Sequence, residues 1–523
     1  MKKFWRKINY LLITILIINA IINPVLGIGT VKNINHNNLQ KLELDFSGLL
    51  YNSSDQANNE RYDSILPFNK ENALFDDLLI KELNFIKSSQ QRDETLIKII
   101  ILFKDEISKS ERIELIDSVF DEFEIINNYN VIPGVYMKCD PKELIAKKSL
   151  LEVHSALKKI YKSRFYSSPS FQEQFPETSA LNKDSYPNWW IPAVGADNLG
   201  YDGSGVNVAV IDTGIYEHPD LNLILSRNFV GANPFEYQDY VGHGTHIAGI
   251  IGGDGGGSSG VYRGVAPGVS LINAKAGGLS GLEEGDIIGA IEWSVDTANA
   301  DIISMSFGDN YPIASDILIL ALAAATETGV ICVSSAGNSG PDYFSGGSPA
   351  SGIDVISVGA SDRYNHLAYF SSWGPSLSYL SYPDIVAPGV NIISTEAPES
   401  VISDEYRFIG DYFDFSADAD YLPLSGTSMS CPIVAGALAI LKQAYPSITP
   451  ETARIALLEG ARDLSDVEDV EFLKSGFGLI NVSASLDYLN YLNATYSNVN
   501  DVLKIAPDEL PVQPYDLLNF PGD

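Results

Sequence analysis

From residue 208 onward, short and mostly apolar runs recur along the chain: 208–211, 271–274, 302–305, 330–333, 355–358 and 384–387. Runs of this length without alternation suit strands buried on both faces, as in a parallel sheet. Helix-like segments at 243–251, 282–297 and 315–327 lie between them, so this region alternates strand and helix. A smaller pattern precedes it. A β-like run at 96–103 is followed by a helical stretch at 109–123 with apolar Ile113, Ile116 and Phe120. Two strand-like runs around 129–136, a helix at 141–151 and a strand at 153–161 complete a βαββαβ order. That order makes a small sheet with helices on one face.

The amino end has a different pattern. Residues 11–22 are apolar apart from Asn19 and follow Lys2, Lys3, Arg6 and Lys7, the order of a secretory signal. Residues 1–29 are read as that signal, with cleavage near Gly27 or Gly29 and an extracellular destination. An uncleaved membrane anchor is the alternative, since extension to Gly29 adds only Asn23 and Pro24 as interruptions. Residues 30–93 are rich in Asn, Ser and acid and read as a low-order linker with an amphipathic stretch around 78–86. The small unit occupies 94–162, a Ser- and Pro-containing join 163–186, and the larger domain 187–489. Residues 490–523, with Pro507, Pro511, Pro514 and Pro521, are a linker or an extra strand.

Composition narrows the function class. At 45% hydrophobic and 19% charged, the 523 residues can bury a sizeable core, which excludes collagen, wholesale disorder and a polytopic membrane protein. The net charge of -33 is uneven: from Leu181 onward there are 11 basic against 43 acidic residues. An acidic surface repels phosphate backbones and anionic lipid, so nucleic acid is not expected as a partner. Cys139, Cys332 and Cys431 lack paired spacing and read as buried thiols.

Candidate chemistry sits in three motifs. Val208-Ala-Val-Ile-Asp-Thr-Gly-Ile215 ends a buried strand with Asp212, either a carboxylate that holds an imidazole N–H or a strand-ending turn residue. Gly242-His-Gly-Thr-His-Ile-Ala-Gly249 opens a helix with His243. The pair His243 and His246 also suits a metal site, although no His-Glu-x-x-His pattern accompanies it. Leu424-Ser-Gly-Thr-Ser-Met-Ser-Cys-Pro432 leads into an apolar helix and puts Ser428 at its start, as a nucleophile or an N-cap.

In this order along the chain, the three motifs resemble those of the subtilisin-like serine proteases, over roughly 188–489. The resemblance implies Asp212, His243 and Ser428 as the catalytic triad, and Asn338 in Ser334-Ser-Ala-Gly-Asn-Ser-Gly340 as oxyanion donor. It implies that Ser304, Ser306 and Gly308 form one wall of the specificity pocket and Gly347 the other. The edge from Gly277 to Leu282, with Gly277, Gly278, Leu279 and Ser280 named as contacts, would then pair with an extended substrate. Asp309 stands where the family often has glycine, either favouring a basic substrate residue or serving as a solvated turn acid. His218, His246 and His366 read as structural.

The fold class expected is α/β, a subtilisin-like parallel central sheet flanked by helices, preceded by a small α+β, ferredoxin-like unit. That unit resembles the family's propeptide, a chaperone and intramolecular inhibitor. The expectation is a monomeric, secreted serine endopeptidase, made as an autoprocessed zymogen and acting on protein or peptide substrates. No cofactor is required for the chemistry. The insertion 396–420, with eight acids against Arg407, is a solvated loop or a structural Ca²⁺ site. A catalytically silent relative would be expected to lack one of the four residues, and none is missing. A metal-dependent hydrolase using His243 and His246 is the third reading.

Overall fold

A computed structural model of the chain describes residues 74–88, 96–166, 188–309, 317–375, 383–405, 420–464, 467, 471–496 and 498–500. All of them fall in one compact unit, Phe68–Val502. The signal read at 1–29, most of the join, residues 406–419 of the acidic insertion and the tail beyond 500 lie outside the described residues.

The first elements are α1 (Asp77–Ser88), β1 (Ile97–Phe103), α2 (Lys109–Val119), β2 (Phe123–Asn128), β3 (Gly134–Cys139), α3 (Pro141–Glu152) and β4 (Leu157–Lys162). The four strands pair antiparallel in the order β2-β3-β1-β4. A capping box starts α2, in which Ser108 Oγ accepts the Glu111 N–H and the Glu111 carboxylate accepts the Ser108 N–H. This helix stops at Val119, short of the expected 123, and β2 and β3 flank residues 129–133 instead of crossing them. Pro133 cannot donate to a ladder, and the Tyr129 N–H closes a turn on the Gly134 carbonyl at 2.9 Å. The amphipathic stretch assigned to a linker is α1. Its Leu79 and Leu83, with the preceding Phe75, are buried in one cluster with Ile99, Ile101 and Ile160, so the compact unit begins upstream of 94.

The principal elements that follow, short helical turns aside, are β5 (Phe165–Tyr166), β6 (Asn207–Asp212), β7 (Leu223–Asn228), α4 (His243–Gly252), β8 (Ser270–Lys275), β9 (Gly277–Gly278) and β10 (Gly281–Glu283). They continue with α5 (Glu284–Asp296), β11 (Ile302–Met305), α6 (Ile317–Glu327), β12 (Ile331–Ser335), β13 (Val355–Ser361), β14 (Ile385–Pro388), β15 (Ile392–Thr395), β16 (Tyr421–Leu424), α7 (Thr427–Ala444), α8 (Pro450–Gly460) and α9 (Val482–Tyr496). Seven strands form one parallel sheet in the order β14-β13-β12-β11-β6-β8-β7. Six are the apolar runs of the sequence; edge strand β7 is half exposed and gives no such signal. Helix α7 is buried from Thr427 to Leu441 and lies against the sheet. Helix α9 runs through the boundary expected at 489, anchored by buried Leu486, Leu489 and Leu492. No described helix is long and apolar enough to cross a membrane.

Candidate active site

Strand β6 delivers Asp212 to the carboxyl edge of the sheet, where parallel α/β folds gather their functional groups. Asp212 Oδ1 lies 2.8 Å from His243 Nδ1 and accepts the Thr213 N–H at 2.7 Å. The end of β6 and the start of α4 approach so closely that a Cβ on Gly244 would lie 2.1 Å from the Gly214 carbonyl oxygen. Gly242 caps α4 at φ 98°, a left-handed conformation that favours glycine. The turn is tied by Asp239, a buried carboxylate missing from the expected site. It accepts from the N–H groups of Val241, Gly242 and Thr245, and from the hydroxyls of Thr245 and Thr213. Nothing in its sequence surroundings marks Asp239, because acids are common in loops.

Ser428 is the second residue of α7, and the cap is Gly426, so Ser428 is not an N-cap. Pro432 lies inside this helix. Having no N–H, it leaves the Ser428 carbonyl without its helical partner. Ser306 Oγ donates to that carbonyl at 2.9 Å, while Ser428 Oγ donates to the Ser306 carbonyl at 3.2 Å. The two segments are thus latched reciprocally. His243 Nε2 is buried with no hydrogen-bond partner among the described residues. Such serine–histidine contacts often close only in the substrate complex.

Asn338 follows β12, and its Oδ1 accepts from both the N–H and the hydroxyl of Thr427 at 2.9 Å. A backbone N–H can only donate, so the amide orientation is fixed and Nδ2 is the free-facing donor end. A Cβ on Gly426 would stand 3.2 Å from that Nδ2, which keeps the space beside it clear for glycine alone.

The expected pocket residues divide. Ser306 and Gly308 continue from β11, and the Asp309 N–H donates to the Ser348 carbonyl at 3.0 Å, joining the two walls. Gly347 permits this approach, since its Cβ would fall 1.4 Å from the Asp309 carbonyl oxygen. Ser304 departs from expectation: its hydroxyl is buried 3.7 Å from Cys431 Sγ, a sheet-to-helix contact and not a wall. Gly277 and Gly278 form β9, with Leu279 and Ser280 exposed in the turn to β10. Strand β5 pairs antiparallel with β10, Tyr166 opposite Leu282 and Phe165 opposite Glu283. The chain's own Tyr166 therefore pairs at the Leu282 end of the 277–282 edge expected to hold substrate, with Phe165 just beyond it opposite Glu283, and neither pairs with Gly277 or Gly278.

Burial alone would push the His243 ring toward the neutral form, but the charge and hydrogen bond of Asp212 outweigh it and hold the pKa above the ordinary histidine value. His246 is pushed down to about 3 by burial and bonds the Leu422 carbonyl through Nε2 at 3.0 Å. The three cysteines are free and buried, with burial pushing Cys431 up to about 11. No group of three or more His, Cys, Asp or Glu side chains among the described residues is arranged to hold a metal ion.

The profile of the subtilase family matches residues 203–478, more than half of the chain. An alkaline protease of Alkalihalobacillus alcalophilus is 32% identical over 448 residues, 85% of this chain and 96% of that protein. This chain belongs to the subtilase family. Subtilisin Savinase of Lederbergia lenta is 38% identical over 296 residues, covering 56% of this chain and 96% of that protein. Serine protease AprX of Bacillus subtilis (strain 168) is 38% identical over 304 residues, 54% of this chain and 66% of its own length. This subtilase is a serine protease that hydrolyses peptide bonds in protein substrates, and its contacting Asp212 and His243 fit that chemistry.

Proposed function

We propose that this subtilase is an exported endopeptidase that is made as a zymogen and cuts its own chain after the small unit. Ser428 attacks the peptide carbonyl, and His243 takes its proton through Nε2 while Asp212 holds the ring by Nδ1. The developing oxyanion is met by Asn338 Nδ2 and the Ser428 N–H at the positive end of α7. His243 then protonates the leaving amine, and water repeats the cycle on the acyl-enzyme. Lys2 to Lys7 and the apolar run 11–22 support export.

The observation that carries the zymogen reading is β5. It leads out of the small unit and lies on β10 with Tyr166 fully buried. A cleft held by the chain's own strand is closed to other substrates. With Tyr166 held on β10, the reading makes the first cut intramolecular, at a high effective concentration of scissile bond relative to Ser428. Ser428→Ala protein should accumulate uncut, whereas the wild type should split at a rate independent of its concentration. Self-cleavage of purified Ser428→Ala within 163–186 would overturn the zymogen reading.

A further inference from the structure

We propose that Glu284 and Asp309 form an acidic subsite that selects substrates carrying a basic residue two positions before an aromatic one. The proposal rests on the reading of β5 as the occupant of the substrate edge. Glu284 opens α5 with its side chain fully buried. Arg164 reaches it with Nε at 3.1 Å and Nη2 at 2.6 Å, and the Arg164 N–H at 3.3 Å. Nη1 of the same guanidinium lies 3.9 Å from Asp309 Oδ2. Tyr166 donates to the same Glu284 oxygen at 3.2 Å and is 3.4 Å from Ser348 Oγ. Its ring meets Phe307 edge-on at 6.0 Å, and the Arg164 guanidinium sits 5.7 Å from the Tyr166 ring centre.

The spacing explains the pattern. Residues i and i+2 of a strand share a face, so Arg164 and Tyr166 reach one carboxylate together, while the intervening Phe165 points away and is 61% exposed. The backbone is held independently of sequence, by β10 and by the Glu284 N–H donating to the Arg164 carbonyl at 2.8 Å. A buried carboxylate is costly without a paired cation. Once the small unit leaves, a substrate strand that brings a guanidinium and a phenol to the same places restores both contacts. One that brings neither loses both contacts to the buried Glu284 carboxylate. Asp309, which stands where the family often has glycine, adds a second charge on the opposite wall.

The test uses active enzyme obtained from the full chain and internally quenched peptides that differ at one position: Arg-Phe-Tyr, Ala-Phe-Tyr and Arg-Phe-Ala. Cleavage of the first should exceed that of each of the others in kcat/KM by about tenfold or more, the range for one charge-assisted hydrogen bond. In Glu284→Gln the Arg-to-Ala ratio should fall to within about twofold, and in Asp309→Asn it should fall part of the way. A ratio taken within one preparation does not depend on how much of a variant is folded. Equal cleavage of all three peptides by wild-type enzyme, or an unchanged ratio in Glu284→Gln, would overturn the subsite and leave the protease assignment intact. Failure to cleave any peptide, with the chain remaining uncut, would overturn the processing reading and this proposal with it.

Discussion

Asp212 does two things to His243, fixing the ring through Nδ1 and raising its proton affinity against the effect of burial, and one pH profile reads both. In the proposed mechanism His243 must be neutral to accept the Ser428 proton, so kcat/KM should rise with pH along a limb centred above the ordinary histidine value. In Asp212→Asn the raising charge is gone while burial remains, so residual activity should turn on at lower pH. A limb that stays in place would mean that another group sets it. Asn338→Leu removes the donor end beside Gly426 and should lower kcat by about 10² to 10³ with little change in KM, the loss typical of this donor in the family. Wild-type kcat in that variant would remove Asn338 from the oxyanion hole. Asp212, His243, Ser428 and Asn338 stand out as candidates in the sequence because each lies in a compact motif. The supports around them were not: Asp239 ties five donors across a loop. Ser306 answers a carbonyl that Pro432 frees more than a hundred residues away, a contact that exists only after folding.

Helix α5 is the element on which the small unit sits. Tyr129 donates to the Gly285 carbonyl at 2.7 Å, and the Glu292 carboxylate accepts the Asn130 N–H at 2.6 Å. A Cβ on Gly285 would come within 2.4 to 2.5 Å of three atoms of the buried Tyr136 ring. Gly285→Ala should therefore act with opposite signs: alanine favours the helix itself, while the ring loses its seat. If the chain is cut as proposed, less of the small unit should co-migrate with the peptidase on gel filtration, and the peptidase should melt no lower than wild type. Undiminished retention would mean that the Tyr136 contact does not hold the two parts together. The sequence disclosed the helices and buried strands, whose apolar runs are continuous. It did not disclose β7, whose burial is patchy, or the end of α2, where Phe120 turns extended while the local pattern still suits a helix. Helix α1 was visible as an amphipathic stretch, but its packing on the sheet depends on Phe75 pairing with Ile160, which no local pattern states.

Charge is distributed across the whole molecule in a way that gives one reagent two effects. The chain from Leu181 onward carries 43 acids against 11 bases, whereas residues before it are nearly balanced. Among the described residues, four ion pairs cross between these parts: Lys98 with Glu283, Lys109 with Glu292, and Arg164 with both Glu284 and Asp309. In each, the cation belongs to the amino-terminal part and the acid to the peptidase. Salt screens charges over about 10 Å at 0.1 M and about 3 Å at 1 M. It should relieve repulsion among the peptidase's own carboxylates, and by the same screening weaken the attraction that holds the small unit. Raising NaCl should thus increase the melting midpoint of the processed peptidase while lowering the fraction of cleaved small unit that remains bound. Calorimetry and gel filtration on one processed sample would read both quantities. If retention rises with salt, apolar burial around Tyr129, Tyr136 and Tyr166 dominates the contact. If the midpoint does not move, the acids lie too far apart for their repulsion to matter. Opposite movements would mean that the acidity of the peptidase, unfavourable within it, is what draws the small unit onto it.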